Sequence, residues 1–246
     1  RYFEPATQFE PFDFGAVRVA LTICEDVWNL SSRPMYSCTP PDLLAEHKPH
    51  VLINISACPT SIGHLARRRQ VLADNAQRYH LPVFAVNPVG GQTDLLFDGG
   101  SAVFNARGEM VDSLPLFKEG LAVYDLDQVA QSTGVSPGVS AAPEDEPSYL
   151  MDALVMGVAD YFSKTGHSKA ILGLSGGIDS AVTLAVAVQA LGAENVWAVL
   201  LPGPFSSDHS VEDALRLARK LGVRNSTISI NDAVSGLEDA LSPHFK

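Results

Sequence analysis

Two short stretches carry residue types able to do chemistry. The first is Val19-Ala20-Leu21-Thr22-Ile23-Cys24-Glu25-Asp26, an apolar β-type run that ends on a cysteine. A strand end fixes the backbone rigidly, which suits a thiol nucleophile, although a lone cysteine also packs well as a small hydrophobe. The reactive form is the thiolate, and Glu25 and Asp26 would oppose it if both faced the sulfur. A cation and a general base must therefore come from elsewhere, and no His, Lys or Glu of the chain is marked out for that by spacing.

The second stretch is Ile171-Leu172-Gly173-Leu174-Ser175-Gly176-Gly177-Ile178-Asp179-Ser180-Ala181, with an apolar run before it and an Ala/Val-rich run after it. Gly176 and Gly177 let backbone N–H groups approach a pyrophosphate, and a helix opening at this point turns its positive end toward the same anion. Ser175 and Ser180 add hydroxyl donors, and Asp179 offers a carboxylate for Mg²⁺. A tight strand-to-helix turn also uses glycine for steric reasons alone. The stretch has neither the Gly-Lys-Ser/Thr of a Walker loop nor a Rossmann spacing, which counts against γ-phosphoryl transfer and dinucleotide redox chemistry.

The elements that must hold these residues fall into two patterns. Between residues 17 and 126, β-rich runs are predicted at 17–23, 51–56, 83–87, 101–104 and 121–126. One long helix is predicted from residue 61 or 64 to 79, with Leu65, Val71, Leu72 and Ala76 on one face and Pro82 ending the pattern. Asn105 to Gly108 reads as a hairpin turn. Residues 128–147 lose the apolar rhythm and collect Gly134, Pro137, Gly138, Pro143 and Pro147, the composition of a linker. After it, helices at 148–163, 179–191 and 211–221 alternate with strands at 169–174, 196–201 and 226–230, which predicts a doubly wound parallel sheet. Ser210 with Asp213 reads as a helix-opening capping pattern that accounts for its serine without a ligand. Ser206 and Ser207, just before it, are not counted as substrate contacts. The run Arg67-Arg68-Arg69 is expected to face solvent.

Composition narrows the function classes. Of the 246 residues 46% are apolar and 18% charged, which predicts a packed core. A formal net charge of −11 repels a polyphosphate backbone, so no nucleic-acid partner is expected, and no apolar run is long enough to span a membrane. Three cysteines, Cys24, Cys38 and Cys58, form neither a disulfide framework nor a zinc spacing, which points to a reducing cytoplasm. The chain opens at Arg1 and closes at Lys246 without obvious terminal elements, and truncation at both ends is expected.

Five blocks in order carry a resemblance: Arg1-Tyr2-Phe3-Glu4-Pro5, Ile23-Cys24-Glu25-Asp26-Val27-Trp28, Asn54-Ile55-Ser56-Ala57, Asn87-Pro88-Val89-Gly90-Gly91-Gln92 and Phe97-Asp98-Gly99-Gly100-Ser101. They resemble the nitrilase-like glutaminase domain of NAD synthetases. Ser175-Gly176-Gly177-Ile178-Asp179-Ser180 resembles the PP-loop of ATP pyrophosphatases, and the stretches 201–207 and 210–214 look like the NAD synthetase continuation. The resemblance implies a nitrilase-like α-β-β-α sandwich portion over residues 1–127, a linker at 128–147, and a PP-loop domain of adenine nucleotide α-hydrolase type over 148–246.

In that family a Glu, Lys and Cys triad hydrolyses glutamine through a thioester. Cys24 matches the nucleophile, and the matching Glu and Lys would lie before Arg1. Cys58 before Pro59 stands where the family usually has a glutamine-contacting Ser, and His64 after Gly63 stands where it has Arg or Lys. Residues between Trp28 and Val51 read as an inserted surface loop. The resemblance implies ATP binding at Gly173, Leu174, Ser175, Gly176, Gly177, Ile178, Asp179 and Ser180, with Mg²⁺ at Asp179. It further implies glutamine, deamido-NAD and ATP as substrates, release of AMP and pyrophosphate, and a homo-oligomer. The readings that compete are a stand-alone nitrilase or amidase and a nucleotide-binding chain without turnover.

Overall fold

The computed structural model describes residues 4, 6–30, 34–132 and 146–244. The chain divides into two compact units, Arg1–Ala153 and Leu154–Lys246. Residues 133–145 of the expected linker and most of the block at residues 1–5 lie outside the described residues.

The first unit is built on a six-stranded mixed sheet. Its strands are β1 (Phe12–Phe14), β2 (Val17–Ile23), β3 (Val51–Ile55), β4 (Val83–Val86), β7 (Ala102–Phe104) and β8 (Met110–Ser113), in that spatial order. β2, β3 and β4 run parallel to one another and the outer pairs are antiparallel. β5 (Val89–Gln92) and β6 (Leu95–Asp98) form a separate antiparallel hairpin.

Side chains alternate across the sheet, so each strand presents a different set to either face. One face, with Ala20, Leu52, Val83, Ala102 and Phe104, packs under Leu44 of helix α1 (Pro40–Ala45) and Leu72 and Ala76 of helix α2 (His64–Tyr79). The opposite face is closed near β7 and β8, where Phe84, Val103 and Val111 meet Tyr124 and Val129. Toward β2 and β3 it leaves Leu21, Ile23, Ile55 and Val86 exposed.

Three expectations for this unit change. Residues 121–126 are not a strand: Leu121 and Val123 are about nine-tenths exposed, and the Asp125 side chain accepts a bond from the Gln128 amide to cap helix α3 (Leu126–Gln131). Residues 29–50 are more than a loop. Buried Asn29 donates to the carbonyls of Tyr36 and Cys38, and α1 opens on two prolines whose missing N–H groups cost nothing at a helix start. Arg68 is buried, against the expectation that the arginine run faces solvent. Successive helical residues are turned by about 100°, so one of three must look inward. Here it is met by Asp98 at 2.9 Å and by the Gly99 carbonyl.

In the second unit, β9 (Ala170–Gly173), β10 (Val196–Leu200) and β11 (Arg224–Thr227) form an all-parallel sheet in the order β11-β10-β9. Helices α5 (Ile178–Leu191) and α6 (Asp208–Lys220) are the crossovers, and α7 (Asn231–Leu241) follows β11. Helix α4 (Glu146–Thr165) precedes β9 along the chain. Leu174, Leu184, Val196, Ala198, Leu200, Ala214 and Ala218 make the core. The cap of α6 is Ser207, whose hydroxyl accepts from the Ser210 amide, rather than Ser210 itself. Asp213 is held instead by Arg216 at 2.6 Å.

Candidate functional site

Cys24 is the first residue of a 3₁₀ turn, Cys24–Val27, that breaks the line of β2. Its φ is +45°, a left-handed conformation uncommon for a side chain larger than glycine and found where surrounding structure enforces it. The enforcement is visible. Asn54, itself buried, donates from Nδ2 to the Cys24 carbonyl at 3.3 Å and to Thr22 Oγ1 at 3.1 Å, and its Oδ1 accepts from Ser56. Asp26 folds back to accept from the Ile23 amide at 2.8 Å, and Glu25 accepts from Tyr36.

The thiol surroundings favour the anion. A hydrogen bond from the Cys58 thiol, aided by backbone N–H groups of Ala57 and Glu25, outweighs partial burial and the Glu25 charge and brings the Cys24 pKa down to about 6. The same bond, with burial, pushes Cys58 well up, so Cys58 keeps its proton and Cys24 gives its proton up. Cys58 is held by Asn87, which accepts from its amide at 2.8 Å and donates to its carbonyl at 3.4 Å. Asn87 also bonds Asp98, which pairs with Arg68 and accepts from Tyr149 at 2.9 Å.

Of the residues read from the sequence, Cys24 and Cys58 are thus brought together. His64 is not in that pair. Its ring stacks on Trp28, centroids 5.3 Å apart at 11°, and burial together with Arg68 and Arg67 lowers its pKa, so it stands neutral at pH 7 rather than as a cation. The cation over Trp28 is Arg67, 5.5 Å from the ring centroid. Asn54, Asn87 and Asp98 were quoted in sequence blocks without a role, and the signal was there: Asn54 interrupts the apolar strand Val51–Ile55 on its inward side. A cavity of about 470 Å³ elsewhere in the unit includes none of these candidates, and one of about 740 Å³ includes Asn87 but neither cysteine.

In the second unit the glycine turn joins β9 to α5. Gly176 has φ +85°, and a Cβ there would lie 2.2 Å from the Ser210 carbonyl oxygen, so only glycine fits. Gly177 differs: it is the N-cap of α5 at φ −84°, and a Cβ would meet only Ser175 Oγ at 3.5 Å. Ser180 Oγ accepts from the Ser175 amide at 3.2 Å and donates to the Gly177 carbonyl at 3.0 Å, tying the turn closed. Asp179 is exposed, and its carboxylate has no partner among the described residues. Gly173 is paired within β9. Leu174 is buried and its amide bonds the Val199 carbonyl, so its side chain and N–H are both withdrawn from a ligand.

The carbon-nitrogen hydrolase family model matches residues 1–134, more than half of the chain. The chain belongs to the carbon-nitrogen hydrolase family. To its carbon-nitrogen hydrolase part it joins a second match, to the NAD synthase family model over residues 150–245. The glutamine-dependent NAD(+) synthetase of Synechocystis sp. is 43% identical over 251 residues, which covers 100% of this chain and 44% of the relative. A solved structure of glutamine-dependent NAD+ synthetase from Acinetobacter baumannii in complex with ADP matches with a TM-score of 0.86 and 37% identity, over 99% of this chain and 44% of that one. The enzyme of the same name from Cytophaga hutchinsonii, at 15% identity and a TM-score of 0.75 over 95% of this chain and 42% of that one, shares the fold. The chain thus spans under half the length of these relatives. The nitrilase-like portion followed by a parallel α/β unit is the fold class read from the sequence.

Proposed function

We propose that this chain acts in a glutamine-dependent NAD synthetase, a ligase that amidates deamido-NAD with ammonia drawn from glutamine. The observation that carries this reading is the presence in one chain of a nucleophile turn and a pyrophosphate-type turn, each with its own chemistry. In the first, the Cys24 thiolate adds to the glutamine carboxamide carbon, the C–N bond breaks to release ammonia, and water hydrolyses the thioester to glutamate. The N–H groups of Glu25 and Ala57 beside the sulfur are supporting donors. Cys58 serves the thiolate as hydrogen-bond donor, and contact between Cys58 or His64 and glutamine remains part of the proposal.

In the second, the nicotinate carboxylate attacks the α-phosphorus of ATP, pyrophosphate leaves, and ammonia displaces AMP. The donor set fits Mg²⁺: an unpartnered Asp179 carboxylate beside the Ser175 and Ser180 hydroxyls is all hard oxygen. Among the described residues no cluster of three His, Cys, Asp or Glu exists, so phosphate oxygens would complete the shell. When bound, the ion would neutralise charge on the triphosphate, while the Gly176 and Ile178 N–H groups orient it. No described helix is long and apolar enough to cross a membrane. The proposal includes a cytoplasmic, homo-oligomeric protein, in a compartment where thiols such as Cys24 stay reduced.

Calorimetric titration with Mg-ATP tests the second site. Asp179→Asn and Gly177→Val each weaken binding roughly tenfold to hundredfold, the range of one charge-assisted contact. Gly177 has room for a Cβ, and urea unfolding of the same variant separates blocked phosphate approach from lost stability. Binding unchanged in both variants would leave the turn a structural connection and remove the synthetase reading.

A further inference from the structure

β2 and β3 are neighbouring parallel strands, and their register pairs Ile23 with Ile55. The residues that leave the two strand ends, Cys24 on one and Ser56 on the other, are therefore side by side, about one strand spacing of 4.8 Å apart, and Cys58 follows two residues after Ser56. The two thiols are near enough for each to be the leading influence on the other's proton affinity, with Ser56 also acting on Cys58. Neither end is loose. Asn54 fixes the Cys24 carbonyl, and Asn87 holds Cys58 at both its amide and its carbonyl. Both thiols are free, Cys24 is partly exposed, and Cys58 is only 4% exposed.

We infer that Cys24 and Cys58 form a peroxide-sensitive thiol pair, in which Cys24 is the oxidised sulfur and Cys58 the resolving one. The exposure difference sets the order, since peroxide reaches Cys24 and not the enclosed Cys58. In the first step the Cys24 thiolate attacks a peroxide oxygen. The S–O bond forms, the O–O bond breaks, and hydroxide leaves to take up a proton as water. In the second, the Cys58 sulfur attacks the sulfenic sulfur, the S–S bond forms, the S–O bond breaks, and the departing hydroxide takes the Cys58 proton. Two thiols and one hydrogen peroxide give one disulfide and two waters, and a thiol reductant reverses the outcome.

A serine at position 58 would offer Cys24 a hydrogen bond but no resolving sulfur. Oxidation of Cys24 would then run on to sulfinic acid, which thiols do not reduce. If Cys24 is also the glutaminase nucleophile, the pair switches ammonia supply off reversibly under peroxide. That consequence rests on the proposed function, whereas the sulfur chemistry does not.

The test reads the sulfurs directly. The purified protein is treated with hydrogen peroxide, remaining thiols are alkylated, and peptides are mapped before and after dithiothreitol. The expected result is a linked Cys24–Cys58 peptide pair, lighter by two hydrogens and fully restored to alkylatable thiols by the reductant. Cys58→Ser gives no linked pair and instead a Cys24 peptide heavier by two oxygens that dithiothreitol does not restore. The inference is overturned if the unsubstituted protein accumulates that doubly oxygenated Cys24 with Cys58 still alkylatable, if the link involves Cys38, or if Cys58→Ser recovers as completely. Because glutamine turnover is not the readout, failure here is distinct from failure of the proposed activity.

Discussion

A left-handed cysteine is an expensive way to end a strand, and at Cys24 the surrounding bonds all serve to hold it there. Asn54 grips its carbonyl, Asp26 turns back to the Ile23 amide, and Tyr36 engages Glu25. The acidic neighbours that looked hostile to a thiolate in the sequence are thus already engaged in bonds of their own. Cys58, with the Ala57 and Glu25 amides, then lowers the Cys24 pKa to about 6. The sign follows from a depressed folded value: the thiolate's contribution to stability is full above the ordinary thiol pKa of about 8.5 and is lost as pH falls through about 6. Iodoacetamide modification of Cys24 should rise with pH and level off with a midpoint near 6, and Cys58→Ala should move that midpoint upward toward an ordinary thiol. A midpoint unmoved by Cys58→Ala, followed by mass spectrometry of the Cys24 peptide, would show that backbone N–H groups alone set it.

At the scale of elements, long periodic stretches were legible and short or glycine-rich ones were not. α2 and α5 fall almost where periodicity predicts them, because sixteen and fourteen residues repeat an apolar face. The β5–β6 hairpin was missed, since Val89-Gly90-Gly91-Gln92 offers little side chain to alternate. Residues 121–126 have the composition of a strand but find no partner strand, and β structure is decided by pairing more than by propensity. The inward turn of Arg68 depended on Asp98, thirty residues away, and no local pattern contains that. The two glycines of the β9–α5 turn looked alike in the sequence and differ in the fold. Gly176→Ala meets both a positive φ and the Ser210 carbonyl, and should destabilise by at least about 1–3 kcal/mol in urea unfolding. Gly177→Ala at a helix N-cap should cost no more than about 1 kcal/mol. Equal losses in the two variants would mean that the loop relaxes around either side chain.

For the whole molecule, each unit closes a core of its own, one around Leu52, Leu72 and Val83 and the other around Leu184, Val196 and Leu200. The change from mixed sheet to strand–helix alternation was visible in the sequence because it is a change of period, and the two families matched over residues 1–134 and 150–245 follow it. The open patch of the first sheet, where Leu21, Ile23, Ile55 and Val86 are exposed, was not visible, since alternation says that a strand has two faces but not what covers each. The proposed nucleophile in one unit and the proposed phosphate turn in the other predict that damage divides by chemistry. In the full-length protein, Cys24→Ala should lower glutamine-driven NAD formation by about three orders of magnitude or more, because no thioester can form. Ammonia-driven formation should stay within about twofold, because amide formation needs only the activated carboxylate and free ammonia. Gly177→Val should depress both to a similar degree, since either ammonia source meets the same adenylated substrate. Steady-state rates with glutamine and with ammonium chloride, measured on the same preparations, decide the matter. If Cys24→Ala loses both activities in proportion, Cys24 acts as a structural residue for the whole enzyme and the division of labour between the two units is wrong.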